Sequence, residues 1–193
     1  MNSLHALALA LSLFLLNACS LHGERPAPVG AGIIAVACKN DSAFYLLARE
    51  RDVHRIGWGH LGGTHEENEP LLATALREFY EESNCSFNLD RPRLLRLTGP
   101  SRSGNFSTYH MKVEYLPLSR ITQSPVCRTV ERDQWVWVRR ADLLSALRAA
   151  ARPATVLVAE GEQRSIRLWD AAANALRQAL IDNVIPEQDP CIP

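Results

Sequence analysis

Apolar positions recur along the chain in two patterns, short continuous runs and a helical spacing. The runs AGIIAVAC (31–38) and AFYLLARE (43–50) predict two buried strands, and KNDS between them suits a hairpin loop. Further short runs that predict strands are RLLRLTG at about 93–99, STYHMKVEYL at 107–116 and QWVWV at 134–138. These runs predict a sheet.

Three segments have the spacing of helices. In residues 70–83 the apolar positions fall on one face, and Pro70 lies where a first helical turn tolerates proline. RADLLSALRAAA (140–151) predicts a helix that Pro153 ends, and residues 164–182 carry an apolar stripe that includes Ile166 and Trp169. Helices interspersed with strands predict an α/β domain with a mixed sheet.

The remaining segments have no such pattern. WGHLGGTHEENE (58–69) predicts a Gly-rich, acidic loop, and SRSGNFST (101–108) predicts a polar loop. Residues 183–193 predict a C-terminal tail that Cys191 can pin to the domain. No internal repeat or second boundary is present, so we expect one domain over 29–182.

The first 18 residues predict an export signal rather than part of the fold. Residues 6–16 are apolar except for one serine, which is too short for a membrane span but right for a signal-peptide core. LNAC (16–19) is similar to a bacterial lipoprotein cleavage box, which would make Cys19 a lipidated N-terminus and residues 19–28 a tether. A secretory signal cut near Ala18, an uncleaved anchor, and a cytoplasmic protein with a wrongly chosen start codon are the alternatives.

Cysteine usage fits an exported protein. If Cys19 carries a lipid, four cysteines remain, at 38, 85, 127 and 191, and they allow two disulfides in an oxidising compartment. Three pairings are possible, and the sequence does not choose among them. Alternatively, Cys38 and Cys85 are buried small apolar residues.

The overall composition narrows the classes of function. Hydrophobic residues make up 47% and charged residues 22%, which predicts a packed core. The formal net charge is zero, which argues against a nucleic-acid-binding protein.

An acidic patch on the first predicted helix is the strongest sign of chemistry. Glu78, Glu81 and Glu82 fall at helical spacing on one side, and Arg77 lies within reach of an ion pair with Glu81. Just before the helix, the Gly62–Gly63 pair permits close backbone approach. Clustered carboxylates are typical of a site for a hard cation such as Mg²⁺ or Mn²⁺.

The same residues carry a resemblance to a known family. The segment 63–85 resembles the Nudix box, G-x5-E-x7-R-E-U-x-E-E-x-G-U, where U is a bulky apolar residue. The matching positions are Gly63, Glu69, Arg77, Glu78, Phe79, Glu81 and Glu82. Asn84 replaces the last glycine, although asparagine also suits a left-handed helix end. Cys85 and Leu61 replace a bulky apolar residue and a proline.

The resemblance implies a Nudix-type α/β/α sandwich that hydrolyses a diphosphate linked to another moiety. It implies Glu78 and Glu82 as leading ligands of Mg²⁺ or Mn²⁺, with Glu81 ligating or positioning a water. The Gly63 carbonyl would complete the coordination, Arg77 would orient the glutamates, and Glu69 would be structural or bind an outer metal ion, with Gly62 in support. One more carboxylate is expected from outside the box, with Glu114 and Glu131 as candidates and Asp133 behind them.

Several functional questions stay open from the sequence. Export would favour a lipid diphosphate, a nucleotide sugar or a dinucleotide as substrate over a nucleoside triphosphate. The expected partners are a small-molecule diphosphate substrate and, through Cys19, the membrane. A non-catalytic envelope protein that binds or senses a ligand is the alternative function. Trp135 and Trp137 lie on the same side of a strand, where they form either part of the core or a stacking surface for a substrate ring. His60 and His65 are loop residues near the acidic patch.

Overall fold

A computed structural model of the chain describes residues 29–89, 97–124, 127, 131–149, 152–161 and 164–192. The predicted signal segment, the tether and Cys19 lie outside these described residues. Within them, no helix has both the length and the apolar content needed to cross a membrane.

The described strands are β1 (Gly30–Lys39), β2 (Ser42–Arg49), β3 (Trp58–Gly59), β4 (Leu61–Thr64), β5 (Thr98–Ser103), β6 (Phe106–Val113), β7 (Trp135–Arg139), β8 (Thr155–Leu157) and β9 (Ser165–Arg167). The described helices are α1 (Leu71–Glu82), α2 (Leu118–Thr122), α3 (Arg140–Arg148) and α4 (Asp170–Ile181).

The main sheet is mixed and has β1 at its centre. β1 pairs in parallel with β6 on one edge, and on the other edge it pairs antiparallel with β2 near its end and with β4 near its start. β7 and β3 extend the sheet beyond β2, and β5 extends it beyond β6. β8 and β9 form a separate antiparallel ladder.

Each face of the sheet carries its own hydrophobic core. Because side chains alternate along a strand, Ile33 and Ala35 point to one face and Ile34 and Val36 to the other. Helices α1 and α2 cover the first face, and α3 and α4 cover the second. This arrangement confirms the predicted α/β/α sandwich with a mixed sheet.

The two tryptophans of β7 belong to the core. Trp135 is 6% exposed and Trp137 is fully buried, both on the α1 face. The Nε1–H of Trp135 donates to the carbonyl of Glu82 at 2.9 Å, which ties the end of α1 to the sheet. The alternative of a stacking surface for a substrate is therefore wrong.

Three local predictions were wrong, each where pairing with another strand decides the conformation. The predicted loop at 58–69 contains β3 and β4, which pair with β2 and β1. The predicted loop at 101–108 is a hairpin joining β5 to β6, and part of the strand predicted at 93–99 lies outside the described residues. The last helix begins at Asp170 rather than 164, because Ser165–Arg167 forms a strand with Thr155–Leu157.

Two disulfides form, which is one of the outcomes that the cysteine count allowed. Cys38 at the end of β1 is bonded to Cys191, with a Cα–Cα distance of 5.5 Å, so the tail is pinned to the sheet. Cys85, just after α1, is bonded to Cys127 with a Cα–Cα distance of 5.3 Å. The second bond ties the end of α1 to the segment that leads into β7.

Candidate active site

Helix α1 and strand β4 meet at the close approach of one carboxylate to one glycine. Gly63 pairs with Ala31 of β1, and Glu78 lies directly against it. A Cβ atom built on Gly63 would come within 2.3 Å of the Glu78 Oε2 atom. Glycine at this position therefore leaves room for the Glu78 carboxylate where it lies, and a larger residue would displace it. Glu78 is 8% exposed.

The C-terminal end of α1 has the backbone that the sequence predicted. Asn84 has a φ of 55°, in the left-handed region that asparagine tolerates. Its side-chain amide donates to the carbonyl of Ile121 at 2.8 Å, so this helix end is also held by α2. Asparagine at the position of the box's glycine thus preserves the turn.

Arg77 holds the acidic residues of the helix together. Its Nε donates to Glu69 at 3.0 Å, and its Nη1 donates to Glu78 at 3.0 Å and to Glu81 at 3.1 Å. Its Nη2 donates to the carbonyl of Thr64 at 3.0 Å. The predicted orienting position of Arg77 matches this geometry, since one guanidinium reaches three carboxylates and the end of β4.

These contacts shift the acidity of the carboxyls in opposite directions. Hydrogen bonds from Arg77 and Thr74 lower the pKa of Glu69 to about 2. Burial raises the pKa of Glu78; Arg77 opposes this shift, while Glu131 and Glu81 add to it. Glu69 is thus a fixed anion that anchors Arg77, whereas Glu78 lies in a region where negative charge is poorly solvated.

Three carboxylates converge beside Arg77. Glu78, Glu81 and Glu131 each place one oxygen so that the three atoms lie within 4.8 Å of one another. Oxygen ligands of Mg²⁺ or Mn²⁺ lie about 2.1 Å from the ion, hence up to about 4.2 Å apart. The donor atoms suit a hard divalent cation, and oxygens 4.8 Å apart would need to move closer by about 0.6 Å to share one ion. This is the one such group among the described residues.

The structure separates the candidates for the additional carboxylate. Glu131 joins the cluster, whereas Glu114 follows the end of β6, is exposed, and lies outside it. Asp133 is also exposed and pairs with Arg49 at 3.2 Å. Among the three candidates, geometry favours Glu131.

Glu82 occupies a different position from the one expected of a leading ligand. Its Oε2 accepts from the backbone N–H of Gly62 at 2.7 Å, and its Oε1 pairs with Arg132. Arg132 also pairs with Glu50, and all three side chains are less than 8% exposed. Burial raises the pKa of Glu82, and Arg132 and the Gly62 N–H oppose that shift. Glu82 therefore faces a buried ion-pair network rather than the carboxylate cluster.

Sequence reasoning missed Arg132 and Glu50. Their partner Glu82 lies 50 residues before Arg132 and 32 after Glu50 along the chain, so no local spacing indicates the contact. The only available signal was the proximity of Arg132 to the candidate Glu131. The backbone N–H of Gly62 donates to Glu82 and so belongs to the same network.

A cavity of about 320 Å³ opens next to the two glycines. It lies between the first half of α4 and the turn that joins β5 to β6, and its wall includes Gly62, Gly63 and Glu50. His60, which the sequence placed in a loop, also lines the cavity and is only 7% exposed. His65 lies in the segment after β4 and is half-buried. Gly63 thus lies between the cavity, which it lines, and Glu78 of the carboxylate cluster, which it contacts.

The family comparison matches most of the folded region. A family model described as NUDIX domain matches residues 27–158. No curated protein matches the chain in sequence. The family match includes β1, the double glycine, α1 and the cluster residue Glu131.

One solved structure shares the fold at low sequence identity, and two others align with lower scores. A MutT/nudix family protein from Enterococcus faecalis aligns with a TM-score of 0.52 and 15% identity, covering 96% of this chain and 73% of that chain. A Nudix hydrolase from M. smegmatis, RenU, aligns with a TM-score of 0.42 and 15% identity, covering 82% and 88%. A C. elegans Ap4A hydrolase in a binary complex aligns with a TM-score of 0.38 and 18% identity, covering 63% and 84%.

Proposed function

The chain belongs to the Nudix family and is a Nudix hydrolase, and we propose that it cleaves the diphosphate linkage of a nucleoside-diphosphate-X or related diphosphate substrate with the help of Mg²⁺ or Mn²⁺. The observation that carries the proposal is the convergence of Glu78, Glu81 and Glu131 within 4.8 Å of one another. An acidic cluster repels a diphosphate, so a cation has to lie between them.

The chemistry of the donor set supports a metal-dependent reaction. A divalent cation bound there would neutralise phosphate oxygens and make a water molecule a stronger nucleophile at neutral pH. The chain's own residues hold the carboxylates of the site in position. Arg77 fixes the carboxylates of Glu78 and Glu81 from one side, and Gly63 leaves the space that Glu78 fills. We assign Glu78, Glu81 and Glu131 as ligands.

Glu82 supports this site from the side of the sheet. Its bond to the N–H of Gly62 holds the start of the Gly62–Gly63 pair, and Arg132 lies next in sequence to Glu131. The network from Glu50 through Arg132 to Glu82 therefore links the cavity wall, the double glycine and the segment that supplies Glu131. We propose a positioning role for Glu82 and Arg132.

Export and lipid anchoring through Cys19 remain part of the proposal. Two disulfides support an oxidising compartment, since cytosolic proteins rarely keep structural disulfides. The sequence of residues 1–19 supports a lipoprotein-like signal facing the periplasm. In that location a lipid diphosphate, a nucleotide sugar or a dinucleotide is a better candidate than a nucleoside triphosphate.

A turnover screen tests the activity. Protein beginning after Cys19 is assayed with Mg²⁺ or Mn²⁺ against nucleotide, dinucleotide, nucleotide-sugar and lipid diphosphates. We expect hydrolysis of at least one class, lost on chelation and in Glu81→Gln, and retained in the matched control Glu114→Gln. Absence of metal-dependent turnover across the panel would refute the hydrolase and favour a ligand-binding function.

Fractionation of the full chain tests the anchor. Labelling with a lipid precursor should mark the wild type in the membrane fraction, and Cys19→Ala should lose both the label and the membrane association. Wild-type protein found without lipid in a soluble fraction would overturn the anchoring proposal without affecting the activity.

A further inference from the structure

Two large apolar side chains are exposed in the short loop that joins β2 to β3. Val53 and Ile56 are 78% and 70% exposed, and every residue from 51 to 56 is exposed. Single exposed apolar residues are ordinary on a protein surface. Here two of them lie three positions apart and line one groove, so they form a small apolar patch.

Hydrogen bonds hold the backbone of this loop in place. At its base, the N–H of Glu50 donates to the carbonyl of Gly57 at 3.0 Å. At its tip, the N–H of Arg55 donates to the carbonyl of Asp52 at 2.9 Å. The two apolar side chains therefore project into solvent from a hydrogen-bonded turn.

Arginine side chains surround the apolar patch. The loop lines a groove of about 540 Å³, which we call the arginine groove. Its charged lining residues are four arginines and three carboxylates, namely Arg49, Arg51, Arg55, Arg167, Glu50, Asp52 and Asp133. The Glu50 side chain is 6% exposed and paired with Arg132, and the exposed Asp170 lies 3.8 Å from Arg167. Four arginines thus face three exposed aspartates, and an arginine fork binds phosphate groups with two parallel hydrogen bonds.

The described chain begins on the same side of the domain. Val29 is 53% exposed and lines the 320 Å³ cavity together with Arg55, so it lies beside the loop. Ten residues lead from Cys19 to Val29, and ten residues span at most about 36 Å. A lipid on Cys19 would therefore hold this side of the domain near the bilayer.

A lipid surface suits these features better than a protein surface does. A stable protein interface buries about 800 Å² on each partner around an apolar centre. The patch offers only two apolar side chains, and His54 and Arg55 separate them along the chain. Apolar residues interspersed with basic ones are typical of segments that lie at a membrane interface, where the apolar side chains enter the boundary of the acyl chains.

We propose that residues 51–56 and the arginine groove form a membrane-docking surface. Val53 and Ile56 enter the outer part of a phospholipid bilayer, and the arginines bind the phosphate groups of anionic lipids. The argument from the chain start rests on the lipid anchor of the proposed function, whereas the exposed loop and the groove are independent of it. Docking fixes the orientation of the domain, with the Arg55 side of the cavity next to the lipid surface.

Sedimentation with lipid vesicles tests the proposal. Protein beginning at Ser20 contains every described residue and both disulfides but carries no lipid, so an anchor cannot contribute to its binding. Vesicles of phosphatidylethanolamine and phosphatidylglycerol are compared with vesicles of phosphatidylcholine, which have no net charge. We expect binding to the anionic vesicles that is tighter than to phosphatidylcholine and weakens as salt is added.

Paired substitutions locate the surface. Val53→Asp/Ile56→Asp should weaken binding to the anionic vesicles by about tenfold or more, because two apolar side chains leave the bilayer and two negative charges approach it. Ile181→Asp/Ile192→Asp is the matched control, since these residues are 76% and 63% exposed and line neither the cavity nor the groove. The control should bind close to the wild type. All four positions are exposed, so both variants should fold, and thermal unfolding checks this.

A second pair of variants tests the arginines. Arg167→Gln should weaken binding to the anionic vesicles by about fivefold at low salt. Arg120→Gln removes an exposed arginine of α2 outside the groove and should bind close to the wild type. Absence of vesicle binding, or equal losses in the two aspartate variants, would overturn the proposal. Self-association that Val53→Asp/Ile56→Asp abolishes, without any vesicle binding, would identify a second copy as the occupant and overturn it as well.

The full chain keeps the docking surface and the lipid anchor distinguishable. Vesicle binding by the protein that begins at Ser20, with no lipid label on the full chain, would remove the anchor and leave the docking surface standing. A lipid-labelled full chain whose unlipidated form does not bind vesicles would do the reverse.

Discussion

Replacement of Arg132 by methionine should destabilise the protein strongly. Arg132 is the shared partner of Glu50 and Glu82, and the three side chains are 5%, 6% and 7% exposed. Methionine retains most of the apolar stem but leaves Glu82 without its counter-charge and Glu50 with only the half-exposed Arg55, 4.0 Å away. Removing one partner of a buried ion pair costs about 3–5 kcal/mol, so we expect a loss of that size near neutral pH.

Guanidinium chloride unfolding under oxidising conditions measures this loss. With a slope of about 4 kcal/mol per molar, the midpoint should fall by about 1 M. Arg49→Met is the matched control, because Arg49 pairs with Asp133 at 3.2 Å while 43% and 41% of their side chains are exposed. An exposed pair contributes about 0–1 kcal/mol, so this variant should unfold close to the wild type.

The pH dependence of the difference identifies its cause. Burial raises the pKa of Glu82 and Arg132 opposes that shift, so without Arg132 the folded state binds more protons at Glu82 than the unfolded chain does. The stability of Arg132→Met therefore rises as pH falls, and the difference in unfolding free energy between the variant and the wild type should become smaller at acid pH. Neutralising the carboxylates as well, in Glu50→Gln/Arg132→Met/Glu82→Gln, should recover most of the loss. A gap below about 1 kcal/mol, or one that widens toward acid, would refute the reasoning.

Three further predictions concern the helix, a disulfide and a buried histidine. Arg77→Ala should lower the free energy of unfolding by about 2–3 kcal/mol. Arg77→Lys should lower it by less, because lysine keeps the positive charge but lacks the fork that holds Glu69, Glu78 and Glu81. Denaturant unfolding measures both losses, and equal losses would contradict this reasoning. The double variant Cys85→Ser/Cys127→Ser should weaken Mn²⁺ binding, because Cys127 lies four residues before Glu131. Cys38→Ser/Cys191→Ser should lower thermal stability but leave Mn²⁺ binding unchanged. Identical Mn²⁺ affinities in the two double variants would oppose this account. Burial lowers the pKa of His110 to about 4. The stabilising effect of the neutral ring is therefore complete above the ordinary pKa near 6.5 and is lost as pH falls from there toward 4. The free energy of unfolding of His110→Gln should depend less on pH in that window, and a pH profile equal to that of the wild type would contradict this prediction.

The elements that the sequence predicted correctly are those specified by local spacing. Helix α1 follows from its apolar face, and Arg77 lies one turn before Glu81, so their contact follows from helical geometry. Strands β1, β2 and β7 alternate between two buried faces and read as apolar runs. The left-handed turn at Asn84 follows from the tolerance of asparagine for that conformation.

The features that the sequence did not predict depend on distant partners. β3 and β4 contain glycines and few apolar residues, and only their pairing with β2 and β1 makes them strands. The choice of Glu131 over Glu114 depends on how the segment before β7 lies against α1. The position of Glu82 depends on Arg132, whose approach no local pattern indicates. Packing of the whole sheet places these residues, so local pattern alone could only name them as candidates.

Direct Mn²⁺ binding, followed by electron paramagnetic resonance, tests the central claim that Glu78, Glu81 and Glu131 form the metal site. The wild type is compared with Glu131→Gln and with Glu114→Gln, which makes the same chemical change at an exposed position outside the cluster. We predict that Glu131→Gln weakens Mn²⁺ binding by about tenfold or more, and that Glu114→Gln binds like the wild type. Unchanged affinity in Glu131→Gln, or a larger loss in Glu114→Gln, would contradict the account.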